Sequence, residues 1–138
     1  MLSLSKSFEH LIGIPFVDGG RTPDEGLDCL GLFILVNKEY GIAVPDHKVS
    51  CYNTLAITYE ALKRIKDSWE KIDEPVEGCG VAFAIDPAYP GLVQHLGVYI
   101  GDGKVIHTIQ KAQSSLLDVN HTYWKNKIIG YYRWKQEK

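Results

Sequence analysis

A cysteine in the stretch "GLDCLGLF" (26–33) occupies a position typical of a reactive thiol. Cys29 follows Asp28, a residue type that caps helices, and precedes a run of apolar residues. If Asp28 caps a helix here, the sulfur lies among unpaired N–H groups at the positive end of the helix dipole. Those surroundings stabilise a thiolate, which is the nucleophilic form of cysteine. The alternative is a small packing residue on the inner face of the helix, because free cysteines are among the most buried residues.

A nucleophilic thiol needs a base, and the base needs an orienting partner. Five histidines are candidates. His95 and His107 each interrupt an otherwise apolar strand, which sets them apart from the others. We expect His10, His47 and His121 to be surface residues, since their surroundings offer no other polar chemistry or are simply hydrophilic.

Whether His95 and His107 share a face depends on the hairpin loop between them. A two-residue turn at 102–103 places them on opposite faces of the sheet. A three-residue loop at 101–103, with a glycine in the left-handed conformation, places Gly97 opposite His107 and makes His95 its diagonal neighbour. The glycines of "GDG" permit the second register without compelling it, so the two alternatives stay open.

A metal site formed by the same side chains is a second hypothesis, and the sequence supports it less well than catalysis. Cys29, His95 and His107 with one open position would suit zinc. They include no close-spaced ligand pair, however, and "GDG" lacks the helix and lysine of a phosphate-binding loop. We therefore expect neither a metal nor another cofactor.

The elements that must position these residues change in type along the chain. Apolar spacing predicts a short helix at Ser3–Leu11, a helix from Asp28 to Tyr40 and another that begins after Asn53, while 15–27 has the composition of a loop. After Pro75 come short β-rich runs, which are "GVAFAI", "VQHLGVYI", "KVIHTI" and "KIIGYYRW". Helices followed by strands predict the α+β class, with N-terminal helices packed on an antiparallel sheet.

Size and composition limit the classes of protein that remain. The 138 residues suit one domain, and the net charge of −2 argues against a strongly cationic nucleic-acid binder. Three cysteines, an odd number, argue against a disulfide framework, and we expect only packing roles for Cys51 and Cys79. No segment has membrane-spanning length, and "MLSLSKSFEHLIG" lacks the apolar core of a signal peptide. We expect synthesis in the cytoplasm without a signal peptide.

Two segments, "PFVDGGRTPDEGLDCLGLFILVNKEYGIAVP" and "QHLGVYIGDGKVIHT", resemble the NlpC/P60 family of papain-like cysteine peptidases. The similarity is strongest to the branch found as hydrolase domains of phage tail-tip assembly proteins. It covers about 15–133, and its specific parts are G-x-D-C-x-G-[LF], H-x-G-[IV]-Y-x-G and the histidine that closes the next strand. The resemblance implies a single hydrolase domain over 1–138 with a papain-like core.

The resemblance also implies the role of each candidate residue. Cys29 is the nucleophile, His95 the general base and His107 the residue that orients His95. The family cleaves peptide stems of the bacterial cell wall, typically between D-γ-glutamate and meso-diaminopimelate. A tail-tip origin adds other tail-tip proteins as partners and the virion tail tip as a location, and involves neither nucleic acid nor a membrane span.

The resemblance also implies that Phe16, Asp28 and Leu30 lie beside the substrate. Phe16 stands where many members have a tyrosine, so one hydroxyl near the cysteine is missing. Leu30 stands where cell-wall members commonly have serine, which implies an altered pocket shape. Two alternatives remain: a structural tail module with little or no activity, or another Cys-His enzyme such as an amidase or acyltransferase.

Overall fold

Helix α1 comprises Cys29–Glu39, close to the predicted 28–40. The computed structural model describes residues 7–46 and 68–135, and all structural statements below concern those residues. The helix stops before Gly41, whose φ of +80° is a left-handed backbone that glycine adopts without steric cost. Apolar side chains recur at helical spacing at Leu32, Leu35 and Val36, with Phe33 beside them; Leu32, Phe33 and Val36 are buried, and Leu35 is partly buried against them.

Six strands form one antiparallel sheet among the described residues: β3 (Trp69–Ile72), β4 (Gly80–Phe83), β5 (His95–Gly101), β6 (Lys104–His107), β7 (Ser115–Asp118) and β8 (Ile128–Trp134). Their order across the sheet is β3-β8-β4-β5-β6-β7. The four predicted strands are β4, β5, β6 and β8, so the predicted α+β class is confirmed. The outermost strands, β3 and β7, were not predicted, because "WEKI" and "SLLD" mix polar and apolar residues as edge strands do.

The N-terminal predictions hold less well. Of the helix predicted at Ser3–Leu11, only Glu9–Leu11 is helical, and it is a 3-10 turn; residues 1–6 lie outside the described part. The predicted loop 15–27 contains a two-stranded ladder of β1 (Arg21–Thr22) and β2 (Gly26–Leu27).

The helix predicted from Asn53 falls outside the described residues. A one-turn helix, α2 (Thr122–Lys125), was not predicted, because four residues are too short for a recognisable period. No helix in the described ranges is long and apolar enough to cross a membrane.

The core divides into two clusters. One joins α1 to the sheet, and its buried members include Phe33, Trp69, Val98, Ile100 and Ile106. The other contains the buried side chains Val81, Phe83, Val105 and Leu117. Alternation along β6 puts Ile106 in the first cluster and its neighbour Val105 in the second, so the sheet has apolar side chains on both faces.

Gly31 allows the loop before α1 to lie directly on the helix. A Cβ at this position would be only 2.2 Å from the carbonyl oxygen of Gly20. Any side chain at 31 would therefore force backbone to move. This contact explains the final glycine of "DCLG" and holds the 16–20 loop over the first turn of α1.

Candidate active site

The carboxylate of Asp28 fixes the start of α1. Its Oδ1 accepts hydrogen bonds from the Gly31 N–H and from Arg21 Nη1, both at 2.8 Å. Its Oδ2 accepts from the Gly19 N–H, also at 2.8 Å. Asp28 is completely buried, so these bonds satisfy a charge that would be costly to leave unpaired. The predicted helix cap is present, and it locks both the helix and the preceding loop around Cys29.

Replacing Asp28 with alanine should destabilise the fold. The change removes the cap and takes one carboxylate from the mostly buried Arg21 guanidinium, and we expect a loss of about 3 kcal/mol in the free energy of unfolding. Urea denaturation followed by circular dichroism measures it. Asp28→Asn is the matched control, because asparagine still caps the helix and should lose less. Wild-type stability in Asp28→Ala would contradict this assignment.

The β5–β6 hairpin brings the two candidate histidines to one face. Asp102 and Gly103 form a two-residue tip with φ of 55° and 76°, and the register shifts at Ile100, just before the tip. The extra residue in β5 moves every earlier pair by one position. His95 and His107 therefore take the register that the three-residue loop predicts, although the tip itself is a two-residue turn.

The two histidines are directly hydrogen-bonded. The distance from His95 Nε2 to His107 Nδ1 is 2.9 Å, and both side chains are buried. Because this bond uses Nε2 of His95, Nδ1 is the nitrogen with which that ring can serve a reacting group. A base at Nδ1 must be unprotonated there, so its proton is on Nε2 and His95 donates to His107. The structure thus supplies the contact through which His107 can orient His95.

Aromatic rings enclose this pair. The Phe83 ring centroid is 5.0 Å from that of His95, and Phe83 pairs with His95 across β4 and β5. Trp124 of α2 lies against His107 in an edge-on arrangement at 4.8 Å. Burial, with a further contribution from His107, lowers the pKa of His95 well below its ordinary value. Burial also lowers the pKa of His107 to about 4, so both rings are neutral at neutral pH.

These shifts predict that stability falls as the pH is lowered. An unfolded histidine has a pKa of about 6.5. Above that value neither state is protonated; between about pH 6.5 and pH 4 the unfolded chain gains protons that the folded pair does not. We expect a loss of a few kcal/mol in the free energy of unfolding over this range, measured by urea denaturation. His107→Gln should flatten the dependence, and an unchanged slope in that variant would contradict the assignment.

Cys29 and His95 line the same cleft, which has a volume of about 320 Å³. Cys29 is a buried thiol at the first residue of α1. Phe16 also lines the cleft, and its predicted contact with the substrate stays a prediction. The remaining lining residues are Ile85, Asp86, Gln94, Thr108, Ile109, Gln110, Tyr123 and Trp124.

Asp28 and Leu30 do not line the cleft that contains Cys29 and His95. Asp28 has no exposed surface and bonds only to groups around the helix start in the contacts described above. Leu30 is half-buried and packs against the core cluster that joins α1 to the sheet. Both contact the protein around the start of α1, and their predicted contact with the substrate stays a prediction.

The sequence did not reveal several cleft residues. Trp124 lies on α2 beside His107, and the polar stretch "HTYW" around it contains no pattern that predicts a site. Thr108 directly follows His107 in the chain. Gln94 holds the adjoining loop, since its Oε1 accepts from the Asp86 N–H at 2.6 Å and its Nε2 donates to the Tyr89 carbonyl at 2.7 Å.

The other histidines and cysteines lie apart from this cleft or outside the described ranges. His10 is exposed, 3.4 Å from Glu39, and His121 is exposed and caps α2. Cys79 is buried, which raises its pKa to about 11. His47 and Cys51 are not among the described residues. Within those residues, no group of three or more His, Cys, Asp or Glu side chains could hold a metal ion.

Comparisons with known proteins agree with this architecture. The chain is 28% identical over 129 residues to a gamma-DL-glutamyl hydrolase of Bacillus subtilis, covering 91% of this chain and 27% of that protein. It is 31% identical over 104 residues to a gamma-D-glutamyl-L-lysine dipeptidyl-peptidase of Bacillus cereus, covering 75% and 27%. The chain thus spans less than a third of either relative.

A solved structure shares the fold. An NlpC/P60 family protein from Bacillus cereus superposes with a TM-score of 0.66 at 23% identity, over 91% of this chain and 37% of that one. The sequence model of the NlpC/P60 family matches residues 13–133, which contain the helix with Cys29 and the hairpin with both buried histidines. The chain belongs to the NlpC/P60 family.

Proposed function

We propose that this chain is a cysteine peptidase that hydrolyses peptidoglycan stem peptides at the bond between D-γ-glutamate and diaminopimelate. One observation supports the proposal most directly: the cysteine at the first residue of α1 lines the same cleft as His95, and His95 is buried and hydrogen-bonded to His107. The names of the two bacterial relatives, both of which refer to glutamyl bonds, support the choice of substrate class.

The proposed reaction is acyl transfer to water. Cys29 Sγ attacks the amide carbonyl carbon while its proton passes to His95 Nδ1, and N–H groups at the start of α1 stabilise the oxyanion. His95 then protonates the departing amine as the C–N bond breaks, which leaves a thioester. Water attacks the thioester, His95 takes the water proton, and the carboxylic acid leaves as the thiol is restored.

The character of the cleft supports binding through hydrogen bonds and apolar contact. Asp86 carries the one carboxylate among the described lining residues, and none of those residues is lysine or arginine. The neutral histidine pair adds no positive charge. Phe16 contributes an apolar ring without a hydroxyl, so we expect the oxyanion or a substrate carbonyl to have one donor fewer than in members with tyrosine.

We further propose that the chain acts as the single hydrolase domain of a phage or prophage tail tip. Leu30 after the cysteine, where cell-wall members commonly have serine, supports this branch. Its partners are then peptidoglycan stems and other tail-tip proteins. Mass spectrometry of purified particles tests the location, and absence of the chain from particles that infect normally would refute it.

Digestion of purified peptidoglycan tests the reaction. Mass spectrometry of the fragments should show new D-glutamyl carboxyl ends and new diaminopimelate amino ends. Cleavage between muramic acid and L-alanine would instead indicate an amidase. Intact stems would refute the proposed peptidase and favour a structural tail module.

A further inference from the structure

Thr108 is a buried hydroxyl without a partner in the wall of the cleft. The residue is 1% exposed, and its Oγ1 has no hydrogen-bond partner. In the described ranges only one other buried side-chain atom shares this condition, Asn37 Oδ1, which belongs to α1 and not to the cleft lining. Among the described residues that line the cleft, Thr108 is thus the one with a buried side-chain polar atom that has no partner.

An unpaired hydroxyl is unfavourable for the free protein. Threonine at this place gives up its bonds to water and gains none in return. Valine has almost the same shape and would avoid that cost, and it suits the end of a strand equally well. Packing therefore does not account for the hydroxyl, whereas a hydrogen bond that forms only with a ligand does.

The position of Thr108 fits contact with a peptide. It directly follows His107, whose ring bonds to His95, so the backbone at Thr108 is next to the catalytic pair. The Gln94 side chain, also in the lining, is already engaged with the loop that carries Asp86. With no lysine or arginine in the described lining, a neutral donor is what this wall offers to a substrate oxygen.

We propose that Thr108 Oγ1 donates a hydrogen bond to a main-chain or carboxylate oxygen of the bound stem peptide. The inference rests on the proposed function. Threonine reaches alternative staggered positions by steps of about 120° in χ1, and the proposal requires one of these positions to direct the hydroxyl into the cleft when the peptide binds. Thr108 is then a substrate-binding residue. The unfavourable free energy of its unpaired hydroxyl in the free protein is offset by the hydrogen bond that forms when the peptide binds.

Thr108→Val and Thr108→Ser test the inference together. Valine should lower kcat/KM for stem-peptide hydrolysis by about tenfold, mainly through KM, while the thermal midpoint stays the same or rises. Serine keeps the hydroxyl and should retain kcat/KM within about threefold. The opposite signs for activity and stability separate a ligand contact from a structural role.

Three other outcomes would overturn the inference. If the wild type cleaves stems and Thr108→Val does so with unchanged kcat/KM, the inference is overturned and the proposed function stands. A lower thermal midpoint in Thr108→Val with unchanged kcat/KM shows that the hydroxyl serves the fold. If the wild type leaves stems intact, the proposed function and the inference both fail.

Discussion

Cys29→Ala should abolish stem-peptide hydrolysis, with kcat lower by at least about 10⁴-fold. Cys29 supplies the only thiol among the described residues that line the cleft with His95. Alanine keeps the helix and its Asp28 cap, so the fold should remain intact. Fragment release from peptidoglycan, followed by mass spectrometry, measures the loss, and circular dichroism checks the fold.

Cys79→Ala is the matched control for this variant. Cys79 is also a buried thiol, but it is outside the cleft lining, and burial raises its pKa to about 11. Its removal should leave kcat unchanged. Iodoacetamide followed by peptide mapping should modify Cys29 faster than Cys79, because the thiolate is the reactive form. Hydrolysis at the wild-type rate by Cys29→Ala would show that another group attacks the peptide.

His95→Gln should lower kcat by about 10³-fold. Glutamine can still donate a side-chain N–H to His107 Nδ1 but cannot take a proton from the Cys29 thiol or return it to the departing amine. The same variant should slow the reaction of Cys29 with iodoacetamide near neutral pH, since the base that activates the thiol is absent. Steady-state kinetics on a stem peptide and the alkylation rate provide two independent measurements.

Two other histidine variants control for this effect. His107→Gln should cause a smaller fall, because glutamine can still hydrogen-bond to His95 Nε2 and orient the ring. His10→Gln should have no effect on kcat, as His10 is exposed and pairs with Glu39. Equal losses in all three variants would indicate general unfolding, and an active His95→Gln would exclude His95 as the base.

The helix that carries the cysteine could be predicted from local residues. Asp28, the apolar spacing after it and Gly41 specify the start, the buried face and the end of α1. The four strong β runs were also identified, because interior strands are apolar over several residues. Edge strands β3 and β7 were missed, since a strand bonded on one side needs less apolar character than one bonded on both.

The sequence by itself determined which residue types are present and that His95 and His107 belong to adjacent strands. It left their relative faces open, because "GDG" is compatible with both registers. The folded structure resolves this through one extra residue at Ile100, which shifts the register and brings His95 Nε2 within 2.9 Å of His107 Nδ1.

Only the tertiary structure identified the walls of the cleft. Trp124 and Thr108 have no recognisable motif, and they reach the site because α2 and the end of β6 pack beside it. It also showed that the Asp28 carboxylate is used within the protein. Local sequence specifies helices and strands through short-range preferences, whereas a cleft depends on contacts between segments far apart in the chain, and those are fixed only when the chain packs.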